Sequence, residues 1–105
     1  MIFGDDIRGW DIYNKVMCYD MCKIYRSIAD NKYLFKISYL TGVKDKYGMS
    51  IYSDDILSKG IEKYLVVFEN GSFGVLMEHY GFICLSKFEH IEIVGNKYQN
   101  EELLK

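Results

Sequence analysis

Val66-Val67-Phe68-Glu69-Asn70-Gly71-Ser72-Phe73-Gly74-Val75 decides the fold. Asn-Gly between two β-rich runs favours a two-residue type I′ turn, because both central residues must take φ > 0 and few side chains tolerate that. The stretch therefore reads as one β-hairpin. Upstream, Gly60 precedes a strand over Glu62 to Glu69, and Ser72 to Met77 answers it across the turn. Downstream, Tyr80-Gly81-Phe82-Ile83-Cys84-Leu85-Ser86 is expected to form a short strand after a glycine bend, and Ile91 to Val94 a closing strand that Gly95-Asn96 releases. Asn100 is placed to cap a short terminal helix through its side-chain oxygen, with Glu101 and Glu102 at the positive end of the helix dipole. A helix this short frays unless Leu103 and Leu104 dock.

Toward the N-terminus, Tyr33 to Leu40 alternates Phe35, Ile37 and Tyr39, which predicts a strand with those three on its buried face. Lys44-Asp45-Lys46-Tyr47-Gly48 is a turn, with Asp45 bonding its own backbone and Gly48 at φ > 0. Ala29 to Lys32 is a polar break, and Ile7 to Trp10 is a short strand. Val16 to Ile28 supports two readings. A hairpin partner for Ile7–Trp10 would use Val16 to Cys22, whereas Tyr13, Val16, Met17, Met21, Ile24, Tyr25 and Ile28 recur at the helical spacings of three and four. A split, with a strand near Val16 to Tyr19 and a helix or irregular turn over Met21 to Ile28, accommodates both.

The 105 residues bound the chain to one domain, or one domain with a small appendage. Half are hydrophobic, and 10 Tyr, 6 Phe and 1 Trp exclude a disordered chain. A small barrel cannot enclose so many rings, so some tyrosines are expected at an interface or ligand groove, although a tyrosine with its ring packed and its hydroxyl in water is the commoner outcome. The 13 basic and 15 acidic residues leave a net charge of −2 with no basic stripe, which argues against binding through a phosphate backbone. Three cysteines, Cys18, Cys22 and Cys84, in a chain that starts without a signal peptide point to free thiols in a reducing cytoplasm. The longest apolar run, Leu65 to Phe68, is too short to span a bilayer.

Leu40-Thr41-Gly42-Val43-Lys44-Asp45-Lys46-Tyr47-Gly48, Ile51-Tyr52-Ser53-Asp54-Asp55-Ile56-Leu57, the Asn70-Gly71 hairpin and the terminal Ile91 to Leu104 together resemble the YopX family of small bacteriophage and prophage proteins. Arg8-Gly9-Trp10-Asp11 and Lys15-Val16-Met17 extend the likeness more loosely. Two positions depart from the pattern: Asp54 stands where the family has Gly, and Glu101 where it has Pro. Aspartate tolerates the left-handed region better than most residues, so the first departure bears on the turn type and not on the fold. The resemblance implies a small barrel of the Src-homology-3 type in the C-terminal part and, for function, a phage accessory role in the cytoplasm of the infected bacterium.

Candidate chemistry is sparse. Cys18-x3-Cys22 with Cys84, His79 or His90 offers zinc-ligand types but only one pair at close spacing, and buried thiols acting as small hydrophobes account for them. Ser72, His79 and His90 supply nucleophile and base types with no signature that positions them. Asp5-Asp6, Asp54-Asp55 and Glu101-Glu102 read as solvated charge and capping, and no glycine pattern marks a nucleotide loop. No catalytic residue, metal or cofactor is assigned. Trp10, His79, Tyr80 and Phe82 are the candidate binding residues, because Trp and Tyr are enriched at interface hot spots; a core anchor is the competing reading of Trp10.

The expected protein is mainly β (α+β): an N-terminal appendage over residues 1–38, a β-hairpin or an α/β unit, then a Src-homology-3-type barrel over 39–105 ending in a helical turn. The expected function is non-enzymatic binding of a host protein by a homo-oligomer. The alternatives are an oligomeric sponge for a small nucleotide and a weak nucleic-acid-binding barrel.

Overall fold

The computed structural model describes residues 6–32, 34–77 and 81–104. The protein is mainly β, and its described residues form antiparallel sheets of four and five strands. It divides into two compact units, Met1–Leu40 and Thr41–Lys105.

In the first unit, β1 (Ile7–Asp11) pairs antiparallel with β2 (Val16–Cys18) on one side and with the first half of β3 (Phe35–Lys44) on the other. The β1–β2 turn is built by Asp11, whose Oδ1 accepts the backbone N–H groups of Tyr13 (3.0 Å) and Asn14 (2.9 Å) while Oδ2 accepts from Asn14 Nδ2 (2.9 Å). The Asn14 backbone donor and then its side chain hold the Asp11 carboxyl below its ordinary range.

The helical and hairpin readings of 16–28 are both realised, in sequence. After β2 comes α1 (Met21–Ala29), started by Asp20, whose Oδ1 accepts the Lys23 N–H at 3.2 Å. Of its apolar residues, Ile24 is fully buried, whereas Tyr25 and Ile28 are exposed. Two further expectations fail here. Tyr39 is exposed and Ser38, its neighbour on the opposite face, is fully buried, because alternation names the two faces of a strand but not the covered one. Cys22 is exposed rather than buried, since it lies on the outward side of α1.

The second unit is ordered by β4 (Ser50–Tyr52), β5 (Asp55–Lys59), β6 (Glu62–Glu69), β7 (Ser72–Met77), β8 (Gly81–Cys84) and β9 (Glu92–Asn96). The sheet runs β8-β7-β6-β5-β9. The hairpin forms as the sequence requires: Glu69 faces Ser72, and Asn70 (φ 51) and Gly71 (φ 81) both lie in the left-handed region. Alternation along β6 and β7 turns Tyr64, Val66, Phe73, Val75 and Met77 toward a core of Ile51, Leu57, Val66, Val75, Leu85, Phe88 and Ile91. Each fully buried Leu, Val or Ile contributes about 1.5–3 kcal/mol. The Tyr64 and Phe88 rings meet edge to face at 5.2 Å.

The C-terminal segment departs from expectation in two ways. Gly95 and Asn96 do not release the chain; they remain paired with Ile56 and Asp55 beyond a bulge between Ile56 and Leu57. The final helix is a 3₁₀ turn, Glu101–Leu104, and Asn100 does not cap it through its side chain. Its Oδ1 instead accepts the Asn96 N–H at 3.2 Å, while its backbone carbonyl accepts from Leu103 at 2.9 Å. With only four residues, the turn offers a side-chain cap less than the strand end behind it does. Leu103 is half-buried and Leu104 exposed.

Candidate functional site

The acidic residues are absorbed by the backbone. Asp45 fixes its turn by accepting the N–H groups of Tyr47 and Met49 (both 2.9 Å) on Oδ1, and reaches across to the Ile93 N–H (3.1 Å) with Oδ2. Burial alone would raise its pKa, but the donors from Met49, Ile93 and Tyr47 outweigh burial and hold the carboxyl below its ordinary value. Asp55, expected to be solvated, is buried and accepts the Tyr52 N–H at 2.8 Å, because the tight turn between β4 and β5 needs an internal acceptor.

Asp54 takes φ 72, the left-handed conformation anticipated for it. Its side chain also gathers the C-terminal segment: Tyr98 Oη donates to Oδ2 at 3.0 Å and Lys97 Nζ lies 3.3 Å from Oδ1, while the Lys97 N–H donates to the Asp54 carbonyl at 2.9 Å. The aspartate therefore supplies a tie that glycine at this position cannot. Asp54→Gly is expected to cost about 1 kcal/mol through the lost tie, and Asp54→Ala roughly 2–3 kcal/mol because it adds the left-handed strain. Urea titrations of the two variants check the order; equal losses would remove the backbone part of the argument.

Among the described residues, the second unit carries a groove of about 210 Å³ lined by Thr41, Val43, Gly71, Ser72, Phe73, Leu85 and Ser86. Val43, Phe73 and Leu85 give it apolar walls continuous with the core, and the three hydroxyl residues give it a polar margin. The Thr41 hydroxyl donates to the Ile51 carbonyl at 2.7 Å, and Ser72 Oγ lies 3.7 Å from Cys84 Sγ. Beside Phe73, the exposed Phe68 ring packs edge on at 4.7 Å between centroids. In the first unit a hollow of about 390 Å³ is lined by Asp20, Cys22, Lys23 and Arg26. There the carboxylate of Asp20 already occupies the positive end of α1, which disfavours an anion.

Of the residues singled out by sequence, Trp10 lies half-buried in β1 of the first unit, facing Met17 and Lys36 across the sheet. Phe82 lies in β8 of the second unit, its ring laid over Gly74. His79 and Tyr80 fall outside the described residues. The groove residues were missed, apart from Ser72, which was weighed only as a nucleophile. They come from separate segments with no spacing in common. The groove's one signal in sequence was the hairpin that carries Gly71, Ser72 and Phe73.

The family model described as YopX protein matches residues 6–105, nearly the whole chain. The chain belongs to the YopX family. A crystal structure of protein EF1440 from Enterococcus faecalis is similar to this YopX protein, with a TM-score of 0.68 and 21% sequence identity. The likeness covers 95% of this chain and 97% of that one, and it concerns the fold alone. Comparison with curated proteins gave no match. Among the described residues of this YopX protein, no helix is long and apolar enough to cross a membrane.

Proposed function

We propose that this YopX protein is a phage-encoded, non-enzymatic accessory protein that binds a protein of the infected bacterium, in that cell's cytoplasm, in host takeover or counter-defence. The observation that carries the reading is the size and lining of the groove. At about 210 Å³ it is smaller than the roughly 300–1,000 Å³ of a typical small-molecule site. It suits one anchoring side chain of a partner better than a nucleotide. The exposed Phe68 beside it, and the exposed Tyr13, Tyr19, Tyr25 and Tyr39 of the first unit, are residue types that partners bury at interfaces. The outer edge of β8, which pairs with no further strand among the described residues, supports self-association as well.

The same proposal takes the five-stranded sheet as a Src-homology-3-type barrel. In support, β9 returns beside β5, the first strand of the sheet, after the 3₁₀ turn Leu85–Lys87.

The test is native mass spectrometry of the protein recovered from phage-infected cells, wild type against Ser86→Trp. Ser86 is exposed on the groove margin, so the indole fills the groove while stability changes by no more than about 0.5 kcal/mol. A stoichiometric host protein on the wild type, lost from the folded variant, is the expected result. A homo-oligomer carrying a non-protein mass would overturn it in favour of the nucleotide sponge, and turnover that depends on Ser72 would make the protein an enzyme.

A further inference from the structure

We propose that Asn70-Gly71 is a self-modifying site, at which the hairpin tip converts spontaneously to aspartate and isoaspartate and so remodels the groove margin. The reaction needs a free backbone nitrogen after an asparagine, an asparagine side chain that can turn toward it, and little crowding between them. The chain has five asparagines, followed by Lys15, Lys32, Gly71, Lys97 and Glu101. Gly71 alone brings no side chain to obstruct the approach.

The hydrogen bonds separate the five further. The nitrogens of Lys15, Lys32 and Lys97 are occupied, donating to the carbonyls of Asp11 (2.9 Å), Ser27 (3.0 Å) and Asp54 (2.9 Å). The amides of Asn14 and Asn96 donate to Asp11 and Gln99, and the Asn100 amide oxygen accepts from Asn96. Asn70 and Gly71 are both exposed, and among the described residues no hydrogen bond holds either the Asn70 amide or the Gly71 N–H. The tip lies beyond the last strand pair, Glu69 with Ser72, where local opening is least costly.

In the chemical step the Gly71 nitrogen gives up its proton to solvent base and attacks Asn70 Cγ. The new C–N bond closes a five-membered succinimide as the bond to the side-chain nitrogen breaks and ammonia leaves. Water then opens the ring at either carbonyl. One opening leaves aspartate at position 70; the other routes the main chain through the former side chain as isoaspartate. One water is consumed and one ammonia released, with no oxidant or reductant.

The aspartate product keeps the left-handed φ of 51 and adds a negative charge beside the groove. Isoaspartate puts an extra carbon into the main chain, so a two-residue turn no longer matches the Glu69–Ser72 register. That displaces Ser72 and the Phe68–Phe73 pair together. The consequence for binding rests on the groove reading proposed above, whereas the modification itself does not.

The experiment holds the full-length protein in mildly alkaline buffer for days and follows its tryptic peptides by mass spectrometry. A one-dalton gain is expected in Tyr64–Lys87 before any gain in the peptides carrying Asn14, Asn31, Asn96 or Asn100, with isoaspartate methyltransferase labelling of the same peptide. Asn70→Asp, which keeps the hairpin, is expected to show no gain there, and Gly71→Ala a slower one. The proposal is overturned if Tyr64–Lys87 gains no mass in the time that the excised peptide takes to convert, or if another asparagine converts first. A Tyr64–Lys87 mass gain without loss of the host partner would retain the modification and sink only its link to the groove.

Discussion

Gly74→Ala is expected to lower the stability of the second unit by about 3 kcal/mol, a fall in Tm of roughly 10 to 20 °C. Gly74 sits in β7 opposite Cys84, and a methyl group there would land on the Ile83 carbonyl oxygen and on the Phe82 ring at once. The ring could swing aside, but the carbonyl belongs to the backbone of β8 and moves only with that strand. The substitution therefore tests whether Phe82 is engaged within the fold or is available to a partner. Leu76→Ala, at an exposed position on the same strand, is the control and is expected to shift stability by only about 0.5 kcal/mol. Thermal melts that leave Gly74→Ala as stable as the control would mean that β7 and β8 do not approach as described, and would return Phe82 to the surface.

Asp45→Ala is expected to cost roughly 3 kcal/mol, because it leaves the N–H groups of Tyr47, Met49 and Ile93 without their shared acceptor. Asp45→Asn is expected to lose less. Its one amide oxygen still serves Tyr47 and Met49, but the amide nitrogen then meets the Ile93 N–H donor to donor. The wild type carries a pH signature with a definite sign. The folded carboxyl titrates below its ordinary 3.8, so its contribution is fully present above that value and is lost as pH falls through the depressed folded pKa. Denaturant titrations between neutral pH and pH about 2 are expected to show wild-type stability falling more steeply with acid than that of Asp45→Asn. Parallel curves would show that the carboxylate charge is not what holds the turn to β9.

The second prediction concerns a residue whose local role was legible and whose long-range role was not. Asp45 announced a turn through its position before Tyr47 and Gly48, and the turn is there. Its bond to Ile93, 48 residues away, leaves no trace in a local pattern. Asp54 likewise announced a left-handed residue; that Tyr98 and Lys97 would come to its carboxylate required the fold. The acidic doublet therefore looked like solvated charge, although each member is a fastening point.

What the amino-acid order alone determined is what nearest neighbours determine: the Asn70-Gly71 turn through φ, the Asp45 turn through its own side chain, and the β6 and β7 strands through alternation. These are fixed within a few residues by steric exclusion and short hydrogen bonds. Tertiary structure decided which strand face is covered, burying Ser38 and exposing Tyr39. It also turned Asn100 back onto Asn96, and it gathered Thr41, Ser72, Phe73 and Leu85 around one groove. Burial depends on what the rest of the chain lays against a surface, and no spacing along one segment encodes the neighbour that another segment will provide.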